Sequence, residues 1–197
     1  AEYTYLAEQR MTKDVGEYKK DTGELTWLIK VNNTGSLKGT AVVVDELKPG
    51  LKYVKAEISE YGSKAKNTKL IAPDAKDVED GRIIMHLTDL QQTNDKTAYV
   101  VIKVTTKVID KEFLTGNGEK KFSNTATLTY NGTMTTDSSE ITVQNKALEK
   151  TGVYNENTAP NVVYTIQINP NGLDMLHDEE KIFVTDTMGE NMSLNSD

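Results

Sequence analysis

The sequence of 197 residues contains no cysteine, two histidines and a single tryptophan. The absence of cysteine excludes a catalytic thiol and favours an exported protein from an organism that does not use disulfides. No Gly-rich phosphate loop and no Ser/His/Asp arrangement is present, so a secreted hydrolase would lack its catalytic groups. We therefore do not expect an enzyme, beyond at most a single-turnover reaction of the chain with itself.

The sequence also lacks long apolar runs and an excess of positive charge. No apolar stretch approaches the length needed to span a membrane. The formal net charge is −7, with lysines and acidic residues interspersed. This balance argues against a basic surface that would bind nucleic acid. We therefore expect neither nucleic acid nor a membrane as a partner.

Metal-binding patterns are weak. His86 and His177 show no ligand spacing, which argues against zinc. An acidic group could hold calcium, but its spacing is irregular and a solvated loop explains it better; it comprises Asp174, Asp178, Glu179 and Glu180. We expect no metal and no cofactor.

Short strand-like segments separated by turn residues dominate the chain. They are rich in Val, Ile, Thr and Tyr and include 25–31, 41–44, 51–58, 82–87, 98–106, 125–130 and 140–143. Turn clusters such as Lys48-Pro49-Gly50 and Asn131-Gly132 lie between them, and the polar segment 67–78 is predicted as a loop. This pattern predicts an all-β, antiparallel sandwich.

Two stretches of the chain are copies of one unit. Lys13 precedes Asn32 by 19 positions, and Lys150 precedes Asn169 by the same 19 positions. Asp45 follows the first stretch and Asp186 follows the second. Because the two copies are 137 positions apart, the repeating unit is a whole domain.

The repeat predicts two domains. We expect residues 1–146 to form a complete domain and residues 147–197 to form the N-terminal part of a second, homologous one. The first copy also carries an asparagine, Asn124, for which the second copy offers no counterpart. The uncovered apolar face of the second copy should pack against the first domain or another copy of the chain.

These motifs resemble the repeated immunoglobulin-like domains of Gram-positive surface adhesins and pilins, including collagen-adhesin-like modules. The most specific parts are Val44-Asp45-Glu46-Leu47-Lys48-Pro49-Gly50-Leu51 and Ser123-Asn124-Thr125-Ala126-Thr127-Leu128. The resemblance implies an immunoglobulin-like sandwich. It also implies a self-made isopeptide bond between a first-strand lysine and a late-strand asparagine, assisted by a carboxylic acid on a middle strand.

On this resemblance Lys13 and Asn124 are the linked residues, Asp45 is the assisting acid, and Lys150 and Asp186 are the second-domain counterparts. Burial would lower the pKa of the amine and keep the carboxyl protonated, as the reaction needs. Ordinary roles are the alternative: a solvated edge lysine, a turn-capping aspartate and an asparagine that starts a strand.

The resemblance implies a mechanical role as a stalk segment of an extracellular, cell-wall-anchored protein, whose signal and anchor lie outside this sequence. Its partners would be neighbouring domains of the same protein. The alternative is a module that binds collagen, fibrinogen or glycan. An exposed aromatic groove would favour binding, but the candidate tyrosines are not clustered; they are Tyr3, Tyr5, Tyr53, Tyr61 and Tyr99.

Overall fold

The protein is built almost entirely from antiparallel strands, which confirms the predicted all-β sandwich. The computed structural model describes residues 10–32, 37–63, 65–91, 97–175 and 181–195. The strands in these ranges are β1 (Met11–Lys19), β2 (Glu24–Asn32), β3 (Gly39–Leu47), β4 (Leu51–Tyr61), β5 (Lys69–Ile71), β6 (Arg82–Leu90), β7 (Tyr99–Val108), β8 (Asn117–Tyr130), β9 (Thr133–Lys146), β10 (Leu148–Val153) and β11 (Val163–Ile168).

The first nine strands form two sheets. The four-stranded sheet has the order β1-β2-β7-β4, and the five-stranded sheet has the order β5-β6-β3-β8-β9. All pairings are antiparallel. The edge strand β1 of the first sheet lies beside the edge strand β9 of the second.

Alternating side chains fill the space between the sheets. In β2, every second residue from Leu25 to Val31 is buried, and the residues between them are only half-buried. In β8, Phe122 to Tyr130 follow the same period of two. This periodicity directs one side of each strand into the core. The single tryptophan, Trp27, is fully buried there and its Nε1 donates to Thr106 Oγ1 at 3.1 Å.

The long hairpin of β8 and β9 is set by its turn. Asn131 and Gly132 both have positive φ, 47° and 75°, as a two-residue hairpin of this type requires. Pairing starts at Tyr130 with Thr133 and continues without interruption to Asn117 with Lys146. A turn of this geometry fixes which residues face each other along both strands.

Several elements differ from the prediction. The segment predicted as a loop, 67–78, contains β5 and a short 3₁₀ helix at Ala75–Asp77. A short helix, α1 (Lys111–Thr115), is capped by the Asp110 side chain, which accepts from Phe113 N–H. Both β8 and β9 extend well beyond their predicted cores, because residues 117–121 of β8 pair with residues 142–146 of β9, and residues 133–139 of β9 pair with residues 124–130 of β8.

Within its described residues, the second copy of the unit forms one hairpin. β10 pairs with β11, and Lys150 faces Ile166 as Lys13 faces Ile29 in the first copy. The repeat also predicts strands at 182–186 and 192–194, but no strand is formed within residues 181–195. In the first copy β3 lies between β6 and β8, and the described part of the second copy provides no such partners.

A loop of the second copy packs on the first sandwich. Leu173 and Met175 are buried and belong to the same apolar core as the first nine strands. The backbone N–H of Asp174 donates to Lys20 O at 3.2 Å, and its side chain lies 2.7 Å from Lys107 Nζ. The two copies therefore meet through both apolar and polar contacts.

Within the described ranges, no helix has the length and apolar character needed to cross a bilayer.

Candidate cross-linking site

Lys13 enters the core from the four-stranded sheet. It lies in β1 and faces Ile29 of β2. Met11 and Lys13 occupy buried positions in a strand whose later residues are half-buried or exposed. The period of two that buries Met11 therefore also directs the lysine inward, although it is a charged residue type that is rarely buried without a partner.

Asp45 and Asn124 enter the same space from the five-stranded sheet. Asp45 of β3 faces Ala126 of β8, and Leu47 faces Asn124. Asp45 and Asn124 are therefore diagonal neighbours on one face of adjacent strands, close enough for their side chains to meet. Both residues are fully buried.

The carboxyl of Asp45 joins the other two side chains. Lys13 Nζ lies 2.7 Å from Asp45 Oδ1. Asn124 Nδ2 lies 2.9 Å from Asp45 Oδ2. One carboxyl thus holds an amine from the opposite sheet and an amide from its own sheet at once.

Burial controls the protonation of this pair. Removal from water lowers the pKa of the Lys13 amine, and the attraction and hydrogen bond of Asp45 oppose that shift. Removal from water likewise raises the pKa of the Asp45 carboxyl, against the opposing effects of Lys13 and Asn124. Both net shifts favour the neutral forms, a free amine and a carboxylic acid. The proton needs only to cross the 2.7 Å hydrogen bond between them.

The amide of Asn124 is only half satisfied. Its Nδ2 donates to Asp45, whereas its Oδ1 is buried and has no hydrogen-bond partner among the described residues. An unpaired buried oxygen is costly, and amide orientation follows from the surrounding network. If the amide is turned over, Oδ1 faces the Asp45 carboxyl, which satisfies it when that carboxyl is protonated.

Trp27 borders the site. Lys13 Nζ lies 5.6 Å from the centre of the Trp27 ring. The indole is fully buried, so it separates the amine from solvent on that side. The distance is near the outer limit for a cation–π interaction, so the ring contributes mainly by excluding water.

The second pair is more open than the first. Lys150 Nζ lies 2.6 Å from Asp186 Oδ1, and the two side chains are 35% and 39% exposed. Lys150 Nζ also lies 4.3 Å from the centre of the Tyr164 ring. Among the described residues, no asparagine is hydrogen-bonded to Lys150 or Asp186. The pair therefore lacks both the burial and the amide of the first site.

A groove of about 670 Å³ lies beside the second pair. Its lining combines that pair with apolar side chains, among them Tyr164, Ile166, Met188 and Met192. Asn161, Asn191 and Asn195 also border it. Apolar side chains of the second copy are also exposed, including Phe183 at 85% and Leu194, which lines the groove, at 80%.

The remaining candidates do not assemble into a site. His86 lies in β6, and Asp174 lies in the loop that packs on the first sandwich. The described residues contain no group of three side chains that could bind a metal. His177, Asp178, Glu179 and Glu180 lie outside the described residues.

Three of the five candidate tyrosines are described, and each donates its hydroxyl to another residue of the chain. Tyr53 OH donates to Pro73 O, Tyr61 OH to Thr68 O and Tyr99 OH to Glu60. Tyr53 is buried. Tyr3 and Tyr5 lie outside the described residues.

One contact of the site was not predicted from the sequence. The backbone N–H of Lys13 donates to Asp137 Oδ2 of β9 at 2.7 Å. The Asn131-Gly132 turn in the sequence could have indicated it. A two-residue turn there fixes the register of the hairpin, and this register places Asp137 opposite Ala126.

Similar solved structures were found for this fold. The full-length major pilin SpaD of Corynebacterium diphtheriae aligns with a TM-score of 0.50 and 15% identity, over 78% of this chain and 39% of the pilin chain. The major pilin BcpA of Bacillus cereus aligns with a TM-score of 0.45 and 12% identity, over 71% of this chain and 41% of that one.

A third match is the collagen-binding subdomain ACE19 of the Enterococcus faecalis surface protein ACE. It has a TM-score of 0.36 and 12% identity, over 74% of this chain and 99% of that one. No family model and no curated protein matches the chain. The chain thus shares the β-sandwich fold of the SpaD pilin and spans about two fifths of that pilin's length.

Proposed function

We propose that the chain is a stalk segment of a Gram-positive cell-wall-anchored surface protein, stabilised by an amide bond that it forms itself between Lys13 and Asn124. The observation that carries this proposal is the shared, fully buried carboxyl of Asp45, hydrogen-bonded to both side chains. The pilin-like fold and the sequence resemblance support the extracellular, mechanical setting.

In the proposed reaction, the proton of the Lys13 ammonium first moves to Asp45. The neutral Nζ then attacks Cγ of Asn124, while the Asp45 carboxyl donates a proton to Oδ1. When the intermediate collapses, Asp45 passes one proton from Nζ to Nδ2, the Cγ–Nδ2 bond breaks and ammonia leaves, and the proton on Oδ1 returns to Asp45. The products are a secondary amide, one ammonia and a protonated Asp45.

The proposed reaction needs no external catalyst, because the fold holds the reacting groups together. The fold holds the amine and the amide on the two oxygens of one carboxyl, so the reaction is intramolecular. The bond would close a loop of 112 residues. By the chain-entropy argument used for disulfides, a loop of that size contributes about 4–5 kcal/mol to stability.

We also propose that residues 147–197 begin a second module, separate from the module of residues 1–146. Its exposed apolar side chains would meet a neighbouring domain of the same surface protein, continuing the contact that Leu173 and Met175 already make with the first sandwich. In the isolated chain a second copy can take that place, because uncovered apolar faces and unpaired strands associate.

The first prediction concerns intact mass. The wild-type chain should be lighter than its sequence mass by one ammonia. Lys13→Ala, Asp45→Ala and Asn124→Ala should each restore the full mass, because each removes a reacting or assisting group. Lys150→Ala is the matched control and should keep the deficit. A wild-type chain of full mass would exclude the bond, and a deficit that survives Lys13→Ala would assign it to another lysine.

The second prediction concerns thermal stability. Asp45→Ala should lower the Tm of the first module by roughly 15 °C, because it removes about 4–5 kcal/mol of loop closure. Asp186→Ala removes the same residue type from the exposed pair, where the expected change is only about 2 °C. Calorimetry of the three proteins measures both shifts. Equal shifts in the two variants would contradict a cross-link at Asp45.

The third prediction concerns association of the isolated chain. Light scattering over a concentration series should show a rising average mass, and Phe183→Ser should reduce it because Phe183 is 85% exposed on the second module. Because Phe183 is exposed, its substitution does not remove a buried contact within the chain. A constant monomer mass for the wild type would show that the apolar face needs no cover.

A further inference from the structure

The backbone of Lys13 is held by a carboxylate from the other sheet. Among the described strands, β1 stands at the edge of its sheet, with β2 as its one paired neighbour there. The Lys13 N–H donates to Asp137 Oδ2 at 2.7 Å. The second oxygen of that carboxylate accepts the N–H of the adjacent Ser138 at 2.9 Å. Asp137 thus provides the partner that a further strand would otherwise offer to this N–H.

Asp137 also belongs to a row of residues that leads to the reaction site. Asp45 of β3 faces Ala126 of β8, and Ala126 faces Asp137 of β9. Residues that face each other across a sheet point to the same side, so all three point inward. The row has a carboxylate at each end and a small, fully buried alanine in the middle.

Lys13 spans this row from the opposite sheet. Its backbone is bonded at the Asp137 end and its amine at the Asp45 end. Neighbouring strands are about 4.8 Å apart, so the row covers about 10 Å between its outer backbones, a span suited to a lysine held at both ends. The alanine in the middle leaves room for the lysine stem.

We propose that Asp137 is a positioning residue for the cross-linking reaction, acting through its hydrogen bond to the Lys13 backbone, which fixes where the amine lies relative to Asn124. This inference rests on the proposed function. Because a misplacement of about 1 Å can slow a reaction on the order of a hundredfold, an anchor at the backbone of the nucleophile has a large effect on rate.

The hydrogen bond and the charge of Asp137 act in opposite directions. The negative charge of Asp137 raises the pKa of the Lys13 amine and so works against the neutral nucleophile. The hydrogen bond positions that nucleophile. An asparagine at this position keeps an oxygen that can accept the Lys13 N–H and removes the charge, so it separates the two effects.

The experiment follows bond formation after refolding. Protein recovered from inclusion bodies in denaturant is diluted into buffer, and the fraction that has lost one ammonia is measured by intact mass against time. Asp137→Ala should slow the reaction at least tenfold, whereas Asp137→Asn should react at least as fast as the wild type. Glu140→Ala is the matched control, because Glu140 lies on the same strand and bonds Lys121 at the surface; its rate should be unchanged.

Two results would overturn the proposal: an Asp137→Ala rate equal to wild type, or an Asp137→Asn rate as slow as that of Asp137→Ala.

A second measurement does not depend on the bond. In the Asn124→Ala background, which cannot cross-link, hydrogen exchange at the Lys13 amide should speed up at least tenfold on Asp137→Ala and stay slow on Asp137→Asn. If the wild type has its full mass but the exchange pattern is as expected, the cross-link is refuted and the anchoring of the Lys13 backbone by Asp137 is not. If Asp137→Ala leaves exchange at the Lys13 amide unchanged, the anchoring itself is refuted.

Discussion

The buried contact between Lys13 and Asp45 is the interaction on which the rest of this structure depends. A lysine and an aspartate in the interior carry a desolvation cost that their attraction seldom recovers in full. Both are fully buried here. Burial lowers the pKa of the Lys13 amine and raises the pKa of the Asp45 carboxyl, and both shifts favour the neutral forms. Such a pair is a poor stabilising element by itself but a suitable arrangement for proton transfer.

The proposed amide removes this cost. Once Lys13 is acylated, no charged amine is left in the core, and the remaining carboxyl can stay protonated and donate to the new amide oxygen. The orphaned Oδ1 of Asn124 then has a partner. The cross-link would therefore turn an unfavourable buried ion pair into a covalent tie between the two sheets, while the energy of folding supplies the alignment.

Much of this was predictable from residues and spacing. The alternation in β2 predicts a strand with one buried side, and an aspartate that follows the apolar run Ala41–Val44 requires a partner. The sequence did not indicate the full extent of β8 and β9, because a largely polar segment such as 133–139 shows no apolar alternation. That segment pairs because the Asn131-Gly132 turn sets the register of the hairpin. The strands expected in 181–195 depend on neighbouring strands that sequence periodicity alone cannot supply. Asp137 was overlooked because its role comes from the meeting of two sheet edges, which the pattern of a single strand does not encode.

The most direct test of the account is the extension of the first module under force. With the amide in place, a load applied at the two ends passes from Lys13 to Asn124 and on to β9, and the intervening loop is not extended. In Asp45→Ala the same loop should unravel and add roughly 390 Å of contour length, at about 3.5 Å per residue. Single-molecule pulling measures this difference: the account predicts that the wild type lacks that gain, and equal gains in the two proteins would contradict it.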